Sequence, residues 1–188
     1  MIAETRQMTV EEYLAFDEAS DIRNEYIDGI VYPIPGSSGN NSMITANTIG
    51  ALANGLNVEN CIVLASRMRV RINPFKYVYP DASVVCGEPE FEDDSEVTLL
   101  NPTVVVEVAS PSSMTHDHIS KVEYYANVPS IQGYLILDQE RVFAEWYTRM
   151  ESGWHLQQFS DADAEIALDP LGCTLQLAQV YRGVKLAS

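Results

Sequence analysis

A chain of 188 residues, 46% hydrophobic and 20% charged, has ordinary globular composition and enough length for one domain with its own core. No stretch approaches the roughly 20 consecutive apolar residues of a membrane span, and the first residues lack the basic segment and apolar run of a signal peptide. No membrane partner and a cytoplasmic location are therefore expected. The net charge of −16 weighs against a general nucleic-acid binder, whose affinity rests largely on Lys and Arg meeting phosphates; it suits a protein that meets a polyanion only with divalent cations bound.

TVEE at residues 9–12 is a capping box and predicts a helix to about Ala19. In RNEYIDGIVYPI, Asp28-Gly29 predicts a hairpin turn between two short strands. GSSGNN is expected to be a loop, and residues 42–56 carry a helical pattern. CIVLASRMRVRI predicts a strand in which Arg67, Arg69 and Arg71 alternate with Met68, Val70 and Ile72, so that the three guanidiniums share one face. That face is either a weak nucleic-acid contact or a solvated sheet surface. YVYPDASVVC predicts a strand interrupted by Pro80, and the acid-rich stretch around 88–96 a solvated loop.

A strand over 103–109, a helix over about 114–127, a strand at GYLILD, an antiparallel pair from RVFAEWYTRM and GWHLQQFS, and a short strand with helical turns at LGCTLQLAQVY complete the chain. Residues 1–188 are expected to form one mixed α/β domain, with helices against a mixed sheet. Cys61, Cys86 and Cys173 are odd in number and far apart; they are expected to be small core hydrophobes, with neither a disulfide nor a zinc site.

Glu107 sits among valines in the most core-like strand. An unpaired buried carboxylate costs several kcal/mol, so a cation, a metal or an exposed strand end must compensate it. Asp81, after Pro80, belongs to a strand that can lie beside it. Two adjacent carboxylates raise each other's pKa unless a divalent ion lies between them, and oxygen ligands suit Mg²⁺ or Mn²⁺. Lys121 on the following helix reaches back over the sheet, and Glu25 before the hairpin turn supplies a third acid. Plainer roles remain open for each. Asp81 can cap a turn, Glu107 can pair with the arginine face, Lys121 can pair with Asp117, and Glu25 can be a cross-strand partner. His116 and His118, two residues apart, share no helix face, and His155 is distant; all three are treated as peripheral.

Taken together, YPDASVVC, NPTVVVEVASPSS and HDHISKVEYY resemble the Uma-type family described as "putative restriction endonuclease" within the PD-(D/E)XK nuclease superfamily. The likeness runs from MTVEEYL and RNEYIDGIVY through SRMRVRI to LAQVYRGV. It implies a restriction-endonuclease-like mixed β-sheet flanked by helices, with additional antiparallel strands. It also implies hydrolysis of nucleic-acid phosphodiesters, DNA first, with Mg²⁺ (or Mn²⁺) as cofactor. Asp81 and Glu107 would be the metal-binding acids, with the Val108 carbonyl as a further ligand. Lys121 and Glu25 would complete the catalytic set. The chain departs from the pattern at Ala109, where the superfamily carries lysine, and the likeness assigns that role to Lys121. It departs also at Asn41, where relatives often carry histidine, and at Arg67, where they often carry an acid. A homodimer fits an enzyme that cuts two strands. The rival is a nuclease-like fold kept as a protein- or nucleic-acid-binding module. A glycosidase is disfavoured because the two tryptophans, Trp146 and Trp154, both fall in the terminal strand pair.

Overall fold

The computed structural model describes residues 7–34, 36–56, 60–110 and 117–186, with only the backbone of 117–119. The capping box forms. The Thr9 amide donates to Glu12 Oε2 at 2.8 Å and the Glu12 amide to Thr9 Oγ1 at 3.2 Å, starting α1 (Val10–Glu18). β1 (Asn24–Ile27) and β2 (Ile30–Pro33) then pair antiparallel across Asp28 and Gly29. Both turn residues have positive φ, +50° and +94°, the backbone that lets a two-residue loop follow the strand twist.

α2 (Gly39–Gly55) begins inside the segment expected to be a loop. Ser38 is its N-cap, and its hydroxyl accepts from the Asn41 amide at 3.1 Å, so cap chemistry outweighs the poor helix propensity of Gly39. The single strand expected across the arginines is two strands, β3 (Cys61–Ala65) and β4 (Arg69–Asn73). They are separated by a turn in which the Met68 amide donates to the Ala65 carbonyl at 3.0 Å. A two-residue alternation does not carry through a turn, so Arg67 does not belong to the face of Arg69 and Arg71. β5 (Lys76–Val78) and β6 (Ala82–Cys86) are likewise separate, and Tyr79-Pro80-Asp81 carries the chain from one sheet to another.

β7 (Thr98–Leu99), β8 (Val104–Ala109), α3 (Asp117–Ala126) and β9 (Gly133–Asp138) follow. After them come β10 (Ala144–Met150), β11 (Gly153–Phe159), β12 (Glu165–Leu168), β13 (Cys173–Gln176) and α4 (Leu177–Val180). Five strands form one sheet in the order β2-β1-β5-β4-β7. Six form a second in the order β11-β10-β9-β8-β6-β3, and β12 pairs with β13. β8 and β9 run parallel with α3 between them, whereas β6 and β8 run antiparallel, so the larger sheet is mixed as expected.

β8 has a packed face on each side. Val104, Val106 and Val108 join the core with Ile44 and Leu52 of α2 and Leu177 of α4; Val105 and Ala109 join the opposite core with Tyr125 of α3 and Tyr134 of β9. Period two then puts Glu107 on the α3 side.

The cysteine expectation is corrected at two of three positions. Cys61 and Cys86 are direct partners in the β3–β6 register, with Cα atoms 4.0 Å apart, and form a disulfide. The strand register, which a separation of 25 residues conceals, brings them opposite each other. Cys173 remains a thiol.

Candidate active site

Glu107 meets two donors from one helix face. Lys121 Nζ lies 2.9 Å from Glu107 Oε1, and the Tyr125 hydroxyl donates to the same oxygen at 2.8 Å. Lys121 and Tyr125 are four residues apart on α3, so their side chains stack on the side that faces β8. Burial is the main cause that lifts the Glu107 carboxyl from 4.5 to about 7; Lys121 opposes that rise, while Asp81 and Glu25 add to it. For Lys121, burial works against the charge, but Glu107 and Glu25 outweigh it and hold the ammonium well above its usual value. The lysine also contacts Glu25 Oε1 at 3.2 Å.

Asp81 stands where the β6–β8 pairing ends, one step beyond the Ala82–Val106 pair and thus beside Glu107. Its Oδ2 accepts the Val108 amide at 2.7 Å, so a side chain continues what the backbone ladder stops doing. Burial raises its carboxyl above the ordinary value, and the Val108 amide, Lys121 and Arg23 only partly offset this. The carbonyl of the same Val108 accepts from Asn41 Nδ2 at 2.9 Å. Both main-chain polar groups of Val108 thus meet side chains, the N–H the acid just before β6 and the C=O the first turn of α2.

Glu25 arrives from the other sheet. It pairs directly with Tyr32 across the hairpin, which sets both side chains on one face, and Arg23 precedes it on the same side. The Arg23 guanidinium lies 5.9 Å from the Tyr79 ring centroid and donates to the Ser66 carbonyl. Between the two sheets, α3 and the start of α2 lies a cleft of about 630 Å³, which Arg23, Glu25, Asp81, Glu107, Val108 and Lys121 all help to line.

The structure therefore brings together Glu25, Asp81, Glu107, Val108 and Lys121. It does not bring the arginines there: none of Arg67, Arg69 and Arg71 lines the cleft. Arg69 is buried and bonded to Asp17 at 2.9 Å, Arg71 is bonded to Glu92 at 2.7 Å, and Arg67 is exposed in the turn. None of the three is thus bonded to Glu25, Asp81 or Glu107. The strand packs into the smaller sheet, where acids of α1 and of the 88–96 loop neutralise two guanidiniums, so that loop is not wholly solvated. His116 lies outside the described residues, as do the side chains of Asp117 and His118.

Sequence reasoning missed Arg23, Tyr79 and Tyr125 and took Asn41 only as a departure. Spacing held the signal for the first three: two residues before Glu25, two before Asp81, and four after Lys121. The reach of Asn41 to Val108 spans 67 residues and had none.

Among the described residues no group of three or more His, Cys, Asp or Glu side chains is arranged to hold a metal ion, and no helix is long and apolar enough to cross a membrane. Two Synechocystis proteins are similar to this chain. One, sll1609, is 32% identical over 168 residues (88% of this chain, 95% of the relative); the other, slr1290, is 30% identical over 180 residues (95% and 93%). A crystal structure titled as a putative nuclease belonging to DUF820 from Anabaena variabilis superposes with a TM-score of 0.76 at 16% identity, covering 93% of this chain and 97% of that one, a likeness of fold. The family model Uma2, "Putative restriction endonuclease", matches residues 10–179, and the chain belongs to that family.

Proposed function

We propose that this chain is a nuclease that hydrolyses nucleic-acid phosphodiesters with Mg²⁺ or Mn²⁺, DNA being the expected polymer. The observation that carries the reading is charge arithmetic. Two carboxylates, Glu25 and Glu107, contact one ammonium, Lys121, and a third, Asp81, stands beside Glu107 on the wall of the same open cleft. Arg23 nearby still leaves the cluster negative. A buried excess of carboxylate is unstable without a cation.

The donor set fits such an ion. Asp81 accepts the Val108 amide through Oδ2 and Glu107 accepts Lys121 and Tyr125 through Oε1, so the second oxygen of each can coordinate, and the Val108 carbonyl has a second lone pair beyond Asn41. Two carboxylates and a carbonyl are hard oxygen donors, and Mg²⁺ characteristically takes one or two carboxylates and completes its octahedron with water and phosphate. A divalent ion bound there supplies Lewis acidity toward a phosphoryl oxygen and a lowered pKa for water.

The chain's own residues do the rest. The Asp81 bond to the Val108 amide fixes the acid at the end of a buried strand. Tyr125 and Lys121 fix Glu107 through one oxygen. The Lys121 ammonium, held charged by Glu25 and Glu107, stabilises negative charge developing on the phosphoryl group. Arg23 at the cleft wall offers a planar guanidinium to a neighbouring phosphate. The test is cleavage of labelled nucleic acids with Mg²⁺, Mn²⁺ or EDTA. Metal-dependent cutting that Asp81→Ala abolishes is expected. Equal activity in that variant overturns the assignment, and metal-free binding without cutting favours the binding-module reading.

A further inference from the structure

Tyrosine rings from three separate elements surround the acid cluster. Tyr32 on β2 sits directly across the hairpin from Glu25, is 42% exposed and lines the cleft. Tyr124, three residues after Lys121 on α3, is half-buried and lines the same cleft. Tyr79, two residues before Asp81, lines it from the crossing between the sheets.

The cations tell the complementary story. Among the described lining residues they are Arg23 and Lys121, and Lys121 is already engaged by two carboxylates. Arg69 and Arg71 are committed to Asp17 and Glu92. A duplex presents one phosphate charge per about 1.7 Å of axis, and proteins that grip it neutralise several phosphates on both strands. A chain of net charge −16 with one guanidinium to offer in its cleft has no such surface there. A single strand needs less. One phosphodiester approaches the acids, one neighbouring phosphate meets Arg23, and the unpaired bases turn their faces to aromatic rings, the sequence-tolerant mode of single-strand binding.

Resting on the nuclease reading of the same site, we infer that the cleft takes single-stranded nucleic acid, with bases stacked on Tyr32 and Tyr124 and a backbone phosphate on Arg23. One cleft then suffices for the reaction, without a second copy to cut an opposite strand.

The test is fluorescence anisotropy with the full chain and short labelled oligonucleotides, as single-stranded DNA, single-stranded RNA and duplex DNA, in Ca²⁺ to suppress turnover. Single strands should bind about tenfold or more tighter than duplex, and the two sugars show which polymer is preferred. Tyr32→Ala and Tyr124→Ala should each weaken single-strand binding roughly tenfold, whereas Tyr32→Phe and Tyr124→Phe keep it. Unaltered thermal melts, expected for the exposed Tyr32, separate a binding loss from misfolding. Tighter duplex binding, or alanine variants with unchanged affinity, overturns the inference. Cleavage measured in parallel with Mn²⁺ separates the two readings. Tyrosine-dependent single-strand binding without cleavage upholds this inference and sinks hydrolysis. Asp81-dependent duplex cleavage indifferent to the tyrosines does the reverse.

Discussion

Asp17 with Arg69, and Glu107 with Lys121, are two ion pairs tucked into the same chain, yet their surroundings differ. Asp17 and Arg69 balance one to one, with side chains 3% and 8% exposed. Asp17 also accepts from the Asn24 amide and side chain and from the Tyr79 hydroxyl, while Arg69 Nε donates to Thr98 Oγ1 at 2.8 Å and the guanidinium lies 5.8 Å from the ring centroids of both Tyr13 and Tyr77. Each Asp17 oxygen thus accepts from two donors. Around Glu107 and Lys121 two further carboxylates crowd in, and burial pushes both Glu107 and Asp81 toward their neutral forms. A balanced, saturated pair is scaffold. An unbalanced one on a cleft wall has spare coordination, and that distinction is open to experiment.

The largest effect is expected on the balanced side. Asp17→Ala strands a buried guanidinium and should cost about 3–5 kcal/mol in a denaturant melt, the same with or without divalent metal. A loss under about 1 kcal/mol breaks the comparison. Lys121→Met removes the one ammonium among three acids. A cost of about 2–3 kcal/mol is expected in EDTA, less than for Asp17 because the crowded carboxyls can take up protons instead. Mn²⁺ should then recover more stability in this variant than in the parent if metal substitutes for the lost charge, read as the change in melting midpoint.

Next in size is a pH effect. The Glu107 carboxyl holds its proton to about pH 7 when folded and to about 4.5 when unfolded. The native state therefore binds more protons between these values, and metal-free stability falls as pH rises through that window, by about 2 kcal/mol after discounting residual solvent contact. The raised Asp81 carboxyl acts in the same direction. Glu107→Gln should flatten much of this slope and leave stability at neutral pH within about 1 kcal/mol of the parent, or above it, because an amide oxygen still accepts from Lys121 and Tyr125. Urea melts from pH 4.5 to 8 in EDTA measure it. A destabilisation of several kcal/mol at neutral pH makes Glu107 scaffold like Asp17. Smallest is Tyr125→Phe, which removes one of two donors to Glu107 Oε1. About 1 kcal/mol of stability and a few-fold weaker Mn²⁺ binding by calorimetry are expected; unchanged metal affinity would relieve Tyr125 of any part in holding the acid.

Local chemistry in the sequence determined the capping box at Thr9, the Asp28-Gly29 hairpin, the valine strand of β8, the terminal strand pair and the mixed α/β class, because each depends on residues a few positions apart. It also singled out Glu107, since a carboxylate amid valines is anomalous wherever the strand lies, whereas Asp81 and Lys121 had plainer readings taken singly and gained their roles from the family likeness. Tertiary structure alone decided the rest. The break between β3 and β4 sends Arg69 and Arg71 to acids 52 and 21 residues away and so out of the cleft. The β3–β6 register pairs Cys61 with Cys86. The docking of α2 lets Asn41 hold Val108, and the passage of Tyr79-Pro80-Asp81 between sheets sets Glu25 beside Lys121. These are contacts between distant segments, and their partners are chosen by strand register and layer packing, which no local window of residues encodes.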